Sequence, residues 1–198
     1  MMRIAVVGVQ GDVEEHVLSL KKAFERAGVK GEAVATRKKG IVSESDAAII
    51  PGGESTTISK LIFREGISEE ILQLAEDGKP VMGTCAGLIL LSKHGDEQVE
   101  RTETKLLGLM DTWVRRNAFG RQRESFQTLL HVKGIGEYEA VFIRAPVITK
   151  VGNKVEVLAK YGDFIVAARQ ENSLALAFHP ELTDDTRVHE YFIRMALE

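Results

Sequence analysis

The chain has 198 residues, 44% of them hydrophobic, and its 26 Lys plus Arg against 29 Asp plus Glu leave a net charge of −3. That length predicts a single domain, residues 1–198, with a substantial core. The charge balance provides no footprint for nucleic acid or an anionic membrane surface, and the lone cysteine excludes an internal disulfide and fits a reducing compartment.

Ile4–Val9 is continuously apolar and predicts a strand covered on both faces. The run is too short for a signal peptide or a membrane span, so a cytoplasmic location is expected. Gln10-Gly11 reads as a turn. Asp12 with Glu15 has the form of a capping box. Val13, Val17, Leu20, Phe24 and Ala27 recur at helical spacing up to Gly28, a C-terminal stop. The stripe is narrow, which predicts core packing rather than membrane binding. Gly31–Thr36 and Ala47–Ile50 predict two more strands, joined by a solvated loop over Arg37–Gly40. A helix is expected after Thr57, and another over Ser68–Asp77, ended by Gly78 and Pro80. Lys93–Lys105 is polar and aperiodic and predicts an exposed loop. Beyond it, Met110–Arg116, Phe126–Val132, Glu139–Ile143, Val155–Tyr161, Phe164–Gln170 and Ser173–Phe178 read as short strands, with a hairpin corner at Tyr161-Gly162-Asp163. Val188, Tyr191, Phe192 and Met195 mark a last amphipathic helix from about Asp185. The alternation in the first half predicts an α/β fold with a mostly parallel sheet and helices on both faces. The strand-rich second half is expected to extend that sheet.

The most informative stretch is Pro80–Leu91. A short apolar run enters Gly83-Thr84-Cys85-Ala86-Gly87, and an apolar run leaves at helical spacing. This is a nucleophile-elbow pattern with cysteine as the central residue. Glycines at 83 and 87 let strand and helix approach around a strained turn. The turn exposes the Cys85 sulfur at a helix N-terminus, where unpaired amides favour negative charge. The Ala86 amide then points where an oxyanion would form. A thiolate nucleophile needs a base, and the base needs an orienting partner. His179 in Ala177-Phe178-His179-Pro180-Glu181 follows an apolar strand. With the backbone extended through Pro180, His179 and Glu181 share a face, so the carboxylate reaches one ring nitrogen while the other faces Cys85. The third stretch, Pro51-Gly52-Gly53-Glu54-Ser55-Thr56-Thr57, reads equally as an anion cradle or as a tight turn with a Ser/Thr N-cap.

These three stretches resemble the class I (triad) glutamine amidotransferases. Val9-Gln10-Gly11, Arg116-Asn117-Ala118-Phe119-Gly120-Arg121-Gln122 and Phe142-Ile143-Arg144-Ala145-Pro146 narrow the resemblance to the glutaminase subunits of pyridoxal 5′-phosphate synthases, the PdxT/SNO family. It runs from Ile4 to about Phe192; Lys93–Lys105 departs from the family pattern. The resemblance implies a three-layer, flavodoxin-like α/β sandwich with an antiparallel extension. It implies Cys85 as nucleophile, His179 as base and acid, and Glu181 as orienter. Gly53, Glu54 and Ser55 would contact L-glutamine, and Arg116, Ile143 and Arg144 would hold its amino-acid end. The oxyanion would be met by the amides of Gly53, after a peptide flip, and Ala86. No metal or organic cofactor is implied. A partner is: the synthase subunit (PdxS family), which takes ammonia by a protected route within a large heteromeric complex.

Two other classes of function stay open on the residues. One is an amidotransferase subunit serving a different synthase, such as that of histidine biosynthesis. The other is a cysteine peptidase or a non-catalytic binding protein on the same fold. Arg115, Arg116, Arg121 and Arg123 read as a solvated basic face rather than a nucleic-acid patch. His16, His94, His131 and His189 have no metal-ligand spacing and are expected at the surface or in local hydrogen bonds.

Overall fold

The computed structural model describes residues 1–120 and 125–198; the readings placed on Arg121, Gln122 and Arg123 lie outside these residues. Strand β1 (Met2–Val7) is buried from Ile4 onward, as its apolar run requires. Helix α1 (Val13–Ala27) buries Leu20, Ala23 and Phe24 and ends on Gly28 in the left-handed conformation. Strands β2 (Gly31–Thr36) and β3 (Ala47–Ile50) follow, then α2 (Ser55–Arg64) and α3 (Ile67–Glu76). The elbow is β4 (Val81–Thr84), Cys85 and α4 (Ala86–Leu91), with every residue of both elements buried. Next come β5 (Ser92–His94), α5 (Glu97–Arg101) and β6 (Met110–Arg115). A hairpin of β7 (Ser125–Val132) and β8 (Gly136–Ile143) precedes β9 (Val147–Val151), β10 (Glu156–Tyr161), β11 (Phe164–Gln170) and β12 (Ser173–Leu176). A 3₁₀ turn (Pro180–Leu182) and α6 (Arg187–Met195) complete the described elements.

Among the described residues, one sheet runs β2-β1-β3-β4-β12-β11-β9-β6-β5, with β10 paired to β11. The five strands from β2 to β12 are parallel. Their order is the doubly wound one, and both faces are covered by helices. The antiparallel extension begins at β11. The expectation that the whole second half joins this sheet holds for β6 and β9–β12. It fails for β7 and β8, which pair only with each other as a separate two-stranded ribbon. Phe126 and Phe142 stack across that ribbon at 4.8 Å, and Phe119 meets both edge-on, so aromatic packing fixes the ribbon to the sheet.

The topology assembles the site. Strand β12 returns from the end of the chain to lie beside β4, with Leu176 opposite Thr84. The Cys85 amide donates to the Leu176 carbonyl at 2.8 Å. The carboxyl ends of β1, β3, β4 and β12 therefore sit together, the edge at which open α/β sheets bind ligands. They carry Gln10–Asp12, Pro51–Glu54, Cys85 and His179–Glu181.

Several local expectations change. Asp12 precedes α1 but its side chain makes no capping bond, because the carboxylate turns to His179 instead. The N-cap of α2 is Glu54, not a Ser or Thr; its carboxylate accepts from the Thr56 and Thr57 amides at 3.0 and 2.7 Å. Lys93–Lys105 is not simply a loop. Asp96 caps α5 through the Gln98 and Val99 amides, and Val99 packs into the core. Five helical residues are too few to show a period. Strand β9 fills a stretch for which no element was expected. Finally, the backbone at Pro180–Leu182 is a 3₁₀ turn rather than extended, since proline's fixed φ suits a first helical turn as well.

Candidate active site

Cys85 has φ 50° and ψ −102°, a conformation L-residues avoid. It persists because the surroundings leave no alternative. A Cβ on Gly87 would stand 2.1 Å from the Ile50 carbonyl oxygen, and one on Gly83 would stand 2.5 Å from the Gly87 carbonyl. Two absent side chains thus let α4 press onto β3 and β4 and turn the sulfur outward. The thiol donates weakly to the Ile143 carbonyl at 3.8 Å.

The His179 ring follows β12. Its Nδ1 lies 2.7 Å from Glu181 Oε1 and 3.3 Å from Asp12 Oδ2. The 3₁₀ turn brings Glu181 to the ring in place of the expected extended backbone. Its Nε2 is buried, has no aligned hydrogen bond, and faces the thiol side of the site. Burial alone would lower the His179 pKa. The interactions with Asp12, Cys85 and Glu181 outweigh it and push the value up to about 12, so the imidazolium is the favoured form beside the two carboxylates. Burial raises the Glu181 pKa, opposed by the hydrogen bond and charge of His179. Asp12, His179 and Glu181 have ligand atoms within 4.8 Å of one another, a spacing that could hold a cation. The ring N–H shared by two carboxylates accounts for the same spacing.

A cleft of about 460 Å³ opens over the sulfur. Gly53, Glu54, Ser55, Cys85, Ala86, Arg116, Ile143, Arg144 and His179 all line it, and Glu181 stands behind His179. The structure therefore brings together the residues expected to act as nucleophile, base, orienter, oxyanion donors and glutamine contacts. Gly53 has φ 150°, and a Cβ there would meet Gln10 Oε1 at 2.4 Å. Gln10 Oε1 accepts from the Glu54 amide at 2.9 Å. Burial works to raise the Glu54 pKa, but hydrogen bonds from Thr57 and Thr56 bring the net shift below the usual value.

Arg116 is seated by hydroxyls. Nη2 donates to Ser55, to Thr56 at 3.2 Å and to Thr104 at 3.1 Å; Nη1 donates to Thr102 at 3.2 Å. Its backbone amide is held by Asp96 at 2.7 Å. The segment expected to be an exposed loop thus builds the seat of Arg116. Among the described residues no carboxylate pairs with the guanidinium, and partial burial lowers its pKa. Hydroxyls orient the cation without neutralising it, which leaves its charge available to the cleft.

Sequence reasoning missed four contributors. Asp12 was read only as a cap, and Gln10 as a turn residue within a stretch of the family resemblance but with no role in the site. His16 and His189, expected at the surface or locally bonded, are fully buried and bonded to each other. Their signal was position: His16 lies three residues from Val13 and four from Leu20 on the core stripe, and His189 lies three from Phe192. His94 stacks on Trp113 at 3.9 Å, and His131 pairs with Glu137 at 2.9 Å.

A cysteine at a strand-to-helix turn, with an imidazole and a carboxylate just beyond the end of the neighbouring parallel strand of an open α/β sheet, is the layout of the triad glutamine amidotransferases. The model of the SNO glutamine amidotransferase family matches residues 6–198, and the chain belongs to that family. The chain is 72% identical to the pyridoxal 5′-phosphate synthase subunit PdxT of Archaeoglobus fulgidus over 98% of both chains. It is 57% identical to the protein of the same name from Methanocella arvoryzae, over 98% of this chain and 97% of that one. It is also similar to a crystal structure of a glutamine amidotransferase, with a TM-score of 0.87 and 47% identity over 98% of this chain and 99% of that one. Among the described residues, no helix is long and apolar enough to cross a membrane.

Proposed function

We propose that the protein hydrolyses L-glutamine to L-glutamate and ammonia and serves as the glutaminase subunit of a pyridoxal 5′-phosphate synthase. The observation that supports this most is the convergence of Cys85, His179, Arg116 and the Gly53–Ser55 loop on one cleft, in a chain of this family. In this reading the Cys85 thiolate attacks the side-chain carboxamide. The Gly53 and Ala86 amides receive the oxyanion, and the glycine at 53 permits the peptide flip this needs. His179 protonates departing ammonia and then activates the water that releases glutamate. Glu181 holds the ring and stabilises the imidazolium. Glu54, Ser55, Ile143 and Arg144 contact the substrate. The thiol leaves the Ile143 carbonyl for His179 Nε2 as the productive geometry forms. No organic cofactor or metal takes part.

Arg116 binds the α-carboxylate of glutamine in this scheme. Arg116→Ala is expected to raise KM for glutamine by about 10- to 100-fold, the worth of a charged hydrogen bond, with a smaller change in kcat. Steady-state kinetics check it; an unchanged KM removes the assignment.

Ammonia released to water is protonated and lost to synthesis. We therefore assign the chain, as one domain over residues 1–198, to a cytoplasmic heteromeric complex with a synthase subunit. The test is the glutaminase rate with and without that subunit. A low rate alone and a higher rate in the complex is the expected result, and equal rates would remove partner gating.

A further inference from the structure

Behind Glu181, on the side away from the cleft, lie two imidazoles that the proposed chemistry does not use. His16 on α1 and His189 on α6 are both fully buried. His16 Nε2 lies 3.1 Å from Thr84 Oγ1 and 3.3 Å from Glu181 Oε2. His16 Nδ1 lies 3.1 Å from His189 Nε2. The contact with Oε2 is within ion-pair distance but not aligned as a hydrogen bond, so the Nε2 position is shared mainly with Thr84. His189 Nδ1 has no partner. Thr84 is the residue before the nucleophile, so His16 touches the strand that carries Cys85 and the carboxylate that orients His179.

The proton count fixes the direction of this chain. Burial lowers the pKa of both rings, His16 well below its usual value and His189 to about 3, and the charges of His189 and His179 add to the effect on His16. Two neutral rings carry two N–H groups on four nitrogens. In one arrangement His189 Nε2–H donates to His16 Nδ1, and His16 Nε2–H faces Thr84 and Glu181. The one atom then left over is the His189 Nδ1 lone pair. In the reverse arrangement His16 Nδ1–H donates to His189 Nε2. A buried N–H on His189 is then orphaned, and the His16 Nε2 lone pair opposes the Glu181 oxygen. The second arrangement carries both a desolvated donor and a lone-pair clash, so the first wins.

We infer that His16, its tautomer set by His189, is a positioning residue for the Glu181 carboxylate, holding the oxygen that His179 does not use. The inference rests on the reading of Cys85, His179 and Glu181 as the reacting triad. Glu181 is then gripped from both ends, by His179 Nδ1–H on Oε1 and by the His16 N–H dipole near Oε2. Asp12 is the other carboxylate facing His179, and it competes for the same Nδ1–H when Glu181 is displaced.

The experiment uses the full-length chain. Glutamine kinetics and the rate of Cys85 labelling by a glutamine-analogue diazoketone are measured for His16→Leu, His16→Gln and His189→Leu. His16→Leu is expected to lower kcat and the labelling rate by about 10- to 100-fold, with KM for glutamine within about twofold, because His16 does not line the cleft. His16→Gln, whose amide N–H reaches the Nε2 position, is expected to recover most of the loss. His189→Leu should show a smaller loss of the same kind. In a Glu181→Gln background, His16→Leu should cost less than about twofold in labelling rate, since the two act as one unit. A purely structural role predicts equal losses in both backgrounds, and that result would overturn the inference. Independently of whether any variant folds, ¹⁵N spectra of the imidazoles in the unaltered protein should show His16 as the neutral Nε2–H tautomer; the Nδ1–H tautomer would overturn it. The failure of the triad reading is distinct: it shows as activity retained by Cys85→Ala, whereas full kcat in His16→Leu beside an inactive Cys85→Ala rejects only the present inference.

Discussion

Cys85→Ala is expected to lower glutamine hydrolysis by about 10⁴-fold or more, and His179→Asn by a similar factor, while the double variant is no worse than either alone. Sulfur and imidazole act as a unit. Without the sulfur there is no thioester, and without the ring neither the departing ammonia nor the attacking water is served. What remains is the modest effect of a cleft that binds glutamine and presents amides to its carbonyl. Neither change should unfold the chain. Cys85 is small, and alanine meets the same φ of 50° at the same cost. Ammonia release measured beside circular dichroism separates chemistry from stability. The diazoketone probe should label the parent protein at Cys85 and leave Cys85→Ala unlabelled. If Cys85→Ala keeps a tenth of the parent rate, the thioester route is wrong.

The sequence made the site's chemistry readable because each part lies within one short stretch. Gly83–Gly87 encodes its own turn, Gly52-Gly53 its own loop, and His179 and Glu181 are two residues apart. The parallel half of the fold was readable for a related reason: fully buried strands such as Ala47–Ile50 are uninterrupted apolar runs. What was hidden depends on long-range pairing. Nothing local says that β12 inserts beside β4, yet that pairing alone brings His179 to Cys85. The role of Asp12 was hidden because one side chain can cap a helix or reach across to a ring, and tertiary structure decides which. The Arg116 seat was hidden because Thr102 and Thr104 look like ordinary loop polars until Asp96 caps α5 and their hydroxyls meet the guanidinium. Val147–Val151 was a different kind of omission. Val-Ile-Thr-Lys-Val is rich in β-branched residues, so its strand was legible by composition. The two buried histidines were legible by position, since a polar residue on a core stripe needs a partner.

Gly87→Ala is expected to destabilise the protein by about 3 kcal/mol and to lower kcat, although the added group is one methyl. The reason is what the methyl meets. Its carbon would stand 2.1 Å from the Ile50 carbonyl oxygen and 3.0 Å from the Ile50 carbonyl carbon, backbone atoms of the central strand β3 that cannot rotate away. Relief requires α4 to lift from the sheet. The first residue of α4 is Ala86, whose amide is assigned to the oxyanion, and the residue before it is Cys85. Lifting the helix therefore moves nucleophile and amide together relative to His179, which stays fixed to β12. A shift on the order of 1 Å at such a centre costs about 10²-fold. Gly28→Ala is the matched control. Gly28 also has a positive φ, 64°, but a Cβ there meets nothing within 4 Å. Only backbone strain of about 1 kcal/mol is expected, with no change in kcat. Thermal unfolding should place Gly87→Ala roughly 6–12 °C below the parent and Gly28→Ala a few degrees below. Equal shifts for the two would mean that the tight packing of α4 on β3 is not what holds the elbow in its strained form.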